Sequence, residues 1–498
     1  MRSVETSKAF GHAVVIGAGV GGLLAGRVLA DRFERVTLAE RDPLSSNSPD
    51  DSIFRKGVPQ GRHLHSLATR GGEILERYFP DLDAELAAVG CPALDQAQDT
   101  ITDTPAGRLP RFRSGVTMRA VSRSLLEERI RRRLRERAEV CFLASREAVG
   151  LVPGANGSVT GVRVRGRAAS HRDDFAGAEE TLVADLVVDA SGQGSRVPRW
   201  LIELGYNAPE EEVVDARLGY ATRWFRVPED FSDDWEGLAV LPGWPDNPRG
   251  GTLRRVEGGV WTAVLIGLGG DNPPTDGEGF LEFARTLPSP IIYDAIKSAE
   301  PVSPVYGYRR TANRRRSYDK ARIPEGLLVL GDAACSLNPS YGSGMTAAAL
   351  SAGALDECLR EQERRKKPSN LSGFGRRFHE RQAKTVAPCW TLTANSDLLW
   401  MAESLEDLGP ARRLLHHVSE EVLALAVERE DVAKTLLEVK NLLALPSTLL
   451  RPGILLPALR RTAFSLLSPR SAGWRESRTS EPKNNNPKPS PAPVRDPS

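Results

Sequence analysis

Three short stretches combine glycine with an acid in a way that suits a polar ligand. In HAVVIGAGVGGLLAGRVLADRFERVTLAERD (12–42), Gly17, Gly19 and Gly22 make GxGxxG directly after an apolar run, and Glu40 closes the next apolar run. The first glycine of such a turn permits a tight reversal, and the second lets the backbone approach a pyrophosphate. The third allows a helix to pack closely on a strand. The following helix start adds free N–H groups and the positive end of its dipole. An acid at the position of Glu40 suits ribose hydroxyls. Being acidic rather than basic, it favours FAD or NAD over NADP.

GxGxxG alone is a weak signal, because glycines often serve packing only. Here two further turns return much later, DASGQGSR (189–196) and GDAACSLNPSYGSGMT (331–346). A simple NAD enzyme needs only one compact fingerprint, whereas a cofactor reaching beyond its adenosine half needs additional turns. FAD is therefore the expected dinucleotide. Asp332 is suited to accept a hydrogen bond from a ribitol hydroxyl. A helix starting near Gly344 would aim N–H groups at the flavin pyrimidine edge, which becomes anionic on reduction.

The elements around these turns follow from periodicity. Residues 12–42 have the rhythm of a βαβ unit, and EGLLVL (325–330) is a short buried-strand run before the third turn. RKGVPQGRHLHSLATRGGEILERYF (55–79) reads as a loop and an amphipathic helix, and VSRSLLEERIRRRL (121–134) as a helix. TGVRVRG (160–166) and ETLVADLVVDA (180–190) alternate like antiparallel strands. From about 205 to 320 the pattern changes to aromatic-containing strands such as GYATRWFRV and GGVWTAVLIGL between Pro/Gly/Asp loops. The chain is then helical from about 370 to 467 and ends in a Pro/Ser/Asn-rich tail expected to be disordered.

The expected fold is α/β: an FAD-binding, Rossmann-like domain of glutathione-reductase type, an inserted antiparallel β-sheet substrate domain, and a C-terminal helical region. The expected boundaries are 1–100, 121–204 and 321–368 for the FAD-binding domain, 101–120 for substrate-domain strands and 205–320 for the substrate sheet. The helical region is expected at 369–468 and the tail at 469–498.

Composition bounds the function. A chain of 498 residues, 40% hydrophobic and 27% charged, reads as a soluble protein of two or three domains. The net charge of +2, from 67 basic and 65 acidic residues, gives no reason to expect nucleic acid. The basic run RIRRRLRER (129–137) continues a helical pattern and reads as a solvated face. Five widely spaced cysteines without CxxC argue against a disulfide framework or zinc site and fit a reducing cytoplasm. No signal peptide and no membrane-spanning apolar stretch are visible.

The triple GAGVGG…Glu40, DASGQGSR and GDAACSLNPSYGSGMT resembles the FAD-dependent monooxygenase superfamily. That group includes aromatic hydroxylases, squalene epoxidase, flavin-dependent halogenases and geranylgeranyl reductases. The resemblance spans roughly residues 12–360. It implies non-covalent FAD, with adenosine at Gly17, Gly19, Gly22 and Glu40 and with Arg123 near the pyrophosphate. Arg41, Arg55 and Arg62 are further implied contacts, and Asp189 sits in the middle motif. Gly331, Asp332, Pro339, Gly342, Gly344 and Met345 would lie along the ribitol and isoalloxazine.

Within the superfamily, DxSGxxSR and the longer GDAACxxxPxxxSG spacing resemble the halogenase and reductase branches. The halogenase WxWxIP signature is missing, since WTAVLIG (261–267) does not fit it, and so is the reductase YxWxFP. GMT is similar to squalene epoxidase, and RKGVPQGRHLHSL (55–67) resembles the bacterial polyene epoxidases of polyether pathways. The implied reaction transfers one oxygen atom from O2, through a flavin C4a-hydroperoxide, to an alkene of a lipophilic substrate. The alternatives are a reductase of isoprenoid double bonds, a halogenase, and a non-redox cyclase that keeps FAD. NAD(P)H would reduce the flavin directly or through a separate reductase, because GSGMTA (342–347) imitates GxGxxA without a strand directly before it. With the flavin carrying the chemistry, no catalytic side chain and no metal site are assigned.

Other residues carry weaker expectations. Trp224, Trp261 and Tyr308 alternate with Phe225 in the sheet region and are expected to line an apolar substrate pocket. His63 and His65 read equally as flavin contacts or loop packing, and Cys335 as a small buried residue. The leucine-rich stretch 441–467, broken by Pro446, Pro452 and Pro457, reads as helices on the core. Its functional alternative is peripheral membrane contact with Arg451, Arg460 and Arg461 at the polar edge. The expected location is cytoplasmic, with membrane association as an addition.

Overall fold

Five short runs dense in Val, Leu, Ile and Phe assemble into one parallel sheet covered on both faces, as such apolar strands require. The computed structural model describes residues 8–44, 55, 57–65, 67–166, 177–402 and 404–467, so the tail expected at 469–498 lies outside the described residues. The sheet order is Leu327–Val329, Leu186–Asp189, Phe10–Ile16, Phe33–Ala39, Val140–Leu143. Its register puts Val329, Asp189, Ile16, Ala39 and Leu143 on one rung, so all five strands end level.

One face of the sheet carries helix Val20–Ala30, of which nine residues are buried. A helix apolar on nearly all sides must be sandwiched, and this one lies between the sheet and helices Arg123–Arg135 and Gly344–Glu363. Gly26 permits the approach: a Cβ there would stand 3.2 Å from Leu38 and 3.3 Å from Leu134. The opposite face carries an antiparallel sheet of Arg146–Pro153, Val159–Gly166 and Glu179–Val183. The expected antiparallel strand at 180–190 is thus two strands. Asp185, whose carboxylate accepts from His12 N at 2.9 Å, marks the break, and Leu186–Asp189 then enters the parallel sheet.

The inserted unit is a seven-stranded sheet in the order Tyr306–Tyr308, Gly219–Arg226, Val260–Gly267, Arg249–Val256, Gly237–Val240, Thr100–Thr104, Gly107–Arg108. It is antiparallel except where Gly237–Val240 meets Thr100–Thr104. Three segments expected with it pair elsewhere. Glu211–Val214 and Asn313–Arg316 form a small sheet with Cys335–Ser336, and Thr117–Arg119 pairs with Ala93–Asp95. Helices Gly277–Arg285 and Ile291–Ile296, read as strand region from the sequence, cover one face through Phe280, Phe283, Ile292 and Ile296. Their signal was present: Asp276 accepts from Gly279 N at 2.7 Å as an N-cap, and Phe280, Phe283 and Ala284 have helical spacing.

The C-terminal region is helical, with Phe374–Trp400, Pro410–Glu428, Glu430–Lys440 and Pro452–Leu467. Ile454 and Ala458 of the last helix pack against Val418, Val422 and Leu425, while Leu445, Leu450 and Leu456 are exposed and Phe464 is 75% exposed. No helix among the described residues is long and apolar enough to cross a membrane.

One buried ion pair ties the helices above the parallel sheet. Arg32 donates to Asp356 at 2.7 Å, both nearly inaccessible, and Tyr78 donates its hydroxyl to the same carboxylate at 3.2 Å. Removing one member of a buried pair costs roughly 3–5 kcal/mol, whereas replacing both by apolar groups is often near neutral. Asp356→Leu is therefore expected to lower the melting temperature sharply, and Arg32→Met with Asp356→Leu to recover most of the loss. Equal melting of Asp356→Leu and the double variant would show that an unpaired Arg32 carries no burial penalty here.

Candidate functional site

Because the strands end level, the loops leaving Ile16, Asp189 and Val329 open onto one cleft. It has about 1740 Å3 of empty space, its open mouth included. Gly17 has φ +96°, and a Cβ there would meet Ala190 O at 2.7 Å. At Gly22 a Cβ would meet Gly17 O at 2.0 Å, so the turn closes only with glycine. Gly19 differs: a Cβ would find no atom nearer than the Arg123 guanidinium at 3.8 Å, because this face looks into the cleft. The N-terminus of helix Val20–Ala30 opens beside it.

Glu40 joins the first turn to the second strand. Its carboxylate accepts from Ala18 N at 2.7 Å and Asp42 N at 3.0 Å and pairs with Arg55 at 3.1 Å. Arg55 also donates to Glu127 and, at 3.2 Å, to Ala18 O, while Arg123 Nε donates to Glu127 at 2.6 Å. Burial would raise the Glu127 carboxyl, yet the guanidiniums of Arg123 and Arg55 hold it at about 2. Arg123, Arg41 and Glu40 line the cleft. Arg55 instead braces its wall, and the Arg62 guanidinium lies 5.0 Å over the ring of Tyr306.

In the middle turn, Ala190, Ser191, Gly192, Gln193 and Gly194 line the cleft, while Asp189 is wholly buried beneath them. The expected contact at Asp189 is corrected accordingly. Its carboxylate, raised by burial, accepts from Ser191 N at 3.0 Å and from the Ser195 hydroxyl, so it shapes the turn rather than facing a ligand. Gln193 Nε2 reaches Ser336 Oγ at 2.6 Å, which ties this turn to the third.

In the third turn Gly331 has φ +63°, and Asp332 follows on a short 3-10 turn. Burial raises the Asp332 carboxyl, opposed by Arg123. Among the described residues nothing in the chain hydrogen-bonds this cleft-lining carboxylate, which leaves its acceptors for a ligand hydroxyl. A Cβ on Gly344 would lie 4.0 Å from Asp332, so the N-terminus of helix Gly344–Glu363 opens at the same point. Pro339, Gly342 and Met345 line the cleft beside it.

The far wall comes from the inserted sheet. Tyr220, Val264, Ile266 and Tyr308 line it, with Tyr220 and Tyr308 centroids 5.3 Å apart. Tyr308 was expected here, but Trp261 was placed on the wrong face. Trp261, Ala263 and Leu265 alternate with Thr262, Val264 and Ile266, and Trp261 is 1% exposed, stacked on Trp235 at 5.5 Å. Trp224 shares the face of Tyr220, yet its indole donates to Arg62 O at 3.0 Å and packs beyond the cleft. Phe225 is core. Cys335 is buried, which pushes its thiol up to about 12. The sequence reading missed Tyr220, Val264, Ile266, Gln193 and Glu127. For the first three, alternation gave the periodicity without saying which parity faced the cleft.

His63 and His65 hold the loop that closes this wall. His63 Nδ1 lies 2.7 Å from Thr222 Oγ1, and its ring meets Tyr220 edge-on at 4.6 Å. His65 lines the cleft and donates Nδ1–H to His63 O at 2.9 Å. Burial and then Arg62 lower His63 to about 4, and burial and then Arg123 lower His65 to about 3. A histidine lowered on folding takes its proton first in the open form. The stability it contributes is whole above the usual value near 6.5 and is lost as pH falls towards 4. From pH 7 to 5 the loss expected from His63 alone is roughly 2 kcal/mol. His63→Gln should flatten the change in melting temperature over this range, and an unchanged slope would show that His63 is not its source.

No protein-family profile matches the chain. Protein Rv3254 of Mycobacterium tuberculosis is 33% identical over 403 residues, covering 80% of this chain and 82% of that one. Among solved structures, the flavin-dependent brominase Bmp2 aligns with a TM-score of 0.61 at 15% identity, covering 91% of this chain and 98% of that one. The p-nitrophenol 4-monooxygenase PnpA of Pseudomonas putida aligns with a TM-score of 0.59 at 18% identity, covering 87% and 99%. The chain belongs to the family of Protein Rv3254, and it shares its fold with the flavin-dependent brominase Bmp2 and the p-nitrophenol 4-monooxygenase PnpA.

Proposed function

We propose that the chain is an FAD-dependent monooxygenase that transfers one atom of O2 to an alkene of a lipophilic substrate. The observation that carries this reading is the single cleft in which two helix N-termini, the open face of Gly19 and the unbonded carboxylate of Asp332 meet an apolar wall. These residues fit a flavin dinucleotide. Gly19 and the first helix start would hold the pyrophosphate with Arg123, and Glu40 and Arg41 the adenosine ribose. Asp332 would accept from the ribitol, and Pro339, Gly342, Gly344 and Met345 would border the ring system.

Bound FAD supplies the redox chemistry with oxygen and a nicotinamide-derived reductant, delivered directly or by a separate reductase. The chain's own residues bind, orient and exclude water. The helix start at Gly344 provides a positive end for negative charge at the pyrimidine edge. Tyr220, Val264, Ile266 and Tyr308 offer the apolar surface against which an unsaturated hydrocarbon would lie. Epoxidation is favoured by this wall together with the GMT turn and the 55–67 loop. A halogenase is the second reading, because Bmp2 is a brominase on the same fold, although the WxWxIP signature is missing. The chain would act in the cytoplasm, with exposed Leu445, Leu450, Leu456 and Phe464 as the surface for peripheral membrane contact.

Purified protein is expected to be yellow and to bind one FAD per chain. Asp332→Ala removes charge-assisted hydrogen bonds worth roughly 1.5–3 kcal/mol, so FAD affinity should fall about 10–100-fold. Gly19→Val should lose more, by filling the pyrophosphate approach. A colourless wild type that takes up no added FAD overturns the reading.

Turnover under labelled oxygen gas should place one labelled atom in the product as an epoxide. Label from water, a product two hydrogens heavier formed without oxygen, or a halogenated product would each replace the proposed reaction. A hydroxylated aromatic ring would keep the mechanism and change the substrate class.

A further inference from the structure

The loop Asn338–Gly342, three of whose residues line the cleft, is held from behind by a helix outside all three glycine turns. Phe374–Trp400 runs 27 residues from the edge of the parallel sheet, where His379 Nε2 accepts from Val329 N at 3.1 Å. In its last turn Asp397 is 0% exposed and does not reach the cleft. Its Oδ2 accepts from Asn338 Nδ2 at 2.8 Å and from Asn313 Nδ2 at 2.6 Å, and its Oδ1 from the Tyr341 hydroxyl at 2.8 Å.

The amide oxygens of both asparagines are engaged as well. Asn338 Oδ1 accepts from Ser340 N at 3.1 Å and Ser340 Oγ at 2.9 Å, and Asn313 Oδ1 accepts from Asn338 N at 2.8 Å. The network therefore fixes which way both amides face and where Pro339, Ser340 and Gly342 stand. A helix that needed only packing would gain nothing from burying a carboxylate here, since an apolar side chain would fill the space without the desolvation cost. None of the three donors belongs to the helix itself. Two lie on the loop, and the third is on strand Asn313–Arg316, which supports it.

We propose that Asp397 is a positioning residue for the flavin: it fixes the Asn338–Gly342 loop from behind, and so sets the geometry and polarity of the cleft wall against the ring system. This rests on the reading of the cleft as a flavin site. Asp397 touches neither cofactor nor substrate. The adjacent Trp400 packs with the cluster that contains Tyr220, Tyr308, Val264 and Ile266, so one helix end steadies both sides of the reacting volume.

Two variants separate clamping from packing. Asp397→Leu keeps the branched shape, with bulkier methyl groups in place of the oxygens, and removes all three links. Asp397→Asn keeps them, with its carbonyl oxygen towards the two asparagine amides and its amide towards the Tyr341 oxygen. In cofactor-free protein, backbone amides of 337–344 should exchange about tenfold faster in Asp397→Leu and within about threefold of wild type in Asp397→Asn. FAD affinity should fall about tenfold in the leucine variant, and the visible band of its bound flavin should lose the structure of the wild type. The asparagine variant should restore both. If the leucine variant fails to fold, Tyr341→Phe, which removes one loop donor, should show the same changes at about threefold.

Wild-type exchange and spectrum in a folded leucine variant, or a loss confined to melting temperature, would overturn the proposal. An asparagine variant as damaged as leucine would also overturn it. The exchange measurement needs no cofactor, so it tests the clamp even if the wild type takes up no FAD.

Discussion

The level rung of Ile16, Ala39, Asp189 and Val329 is the constraint on which the site depends. Parallel pairing places the carboxyl ends of adjacent strands side by side, and whatever leaves them shares one edge. Three glycine turns separated by more than 300 residues of sequence thereby converge within one cleft. A slip of one residue in any of these strands would exchange the side chains of its two buried faces and carry its turn out of line. The apolar side chains that bury the sheet therefore also fix the alignment of the polar groups above it.

At the end of the cleft beside Gly19 the charges are arranged before any ligand arrives. Glu127 sits between Arg123 and Arg55, so the two guanidiniums are held in place by an acid that stays ionised. Glu40 repeats the device with Arg55 and two backbone N–H groups. The charges are pre-oriented by the chain, and little side-chain freedom remains to be lost on binding. At the other end the arrangement is reversed: Asp332 has no hydrogen-bond partner among the described residues, and the positive end of helix Gly344–Glu363 opens beside it.

The sequence disclosed what depends on local spacing and hid what depends on facing. Gly17, Gly19, Gly22 and Glu40 were legible because a turn, a helix start and a strand end sit at fixed separations along the chain. Trp261 was misplaced because period-two alternation defines two faces without naming which is covered by helices, and helices Gly277–Arg285 and Ile291–Ile296 went unread in a strand-rich stretch despite the Asp276 cap. Asp189 looked like a ligand contact because an acid before Ser-Gly suits either role; only its burial distinguishes them. Asp397 had no signal at all, being one of two acids in a long helix, with partners 56 to 84 residues away.

The helix Phe374–Trp400 also bears on how the protein is made. A ribosome releases the first glycine turn almost at once, but the strand beside it arrives with Leu186–Asp189 and the outer one with Leu327–Val329. The brace behind the cleft emerges later still, and Asn441, which accepts from Thr69 N at 3.1 Å and from Gln96 Nε2 at 2.7 Å, is synthesised after that. Nascent chains can form the early helix, but its full burial waits for the late strands and for helix Gly344–Glu363. They cannot assemble the complete cleft until the start of helix Gly344–Glu363 has left the exit tunnel, so translation of the first glycine turn and completion of the ligand site are separated in time by the topology itself.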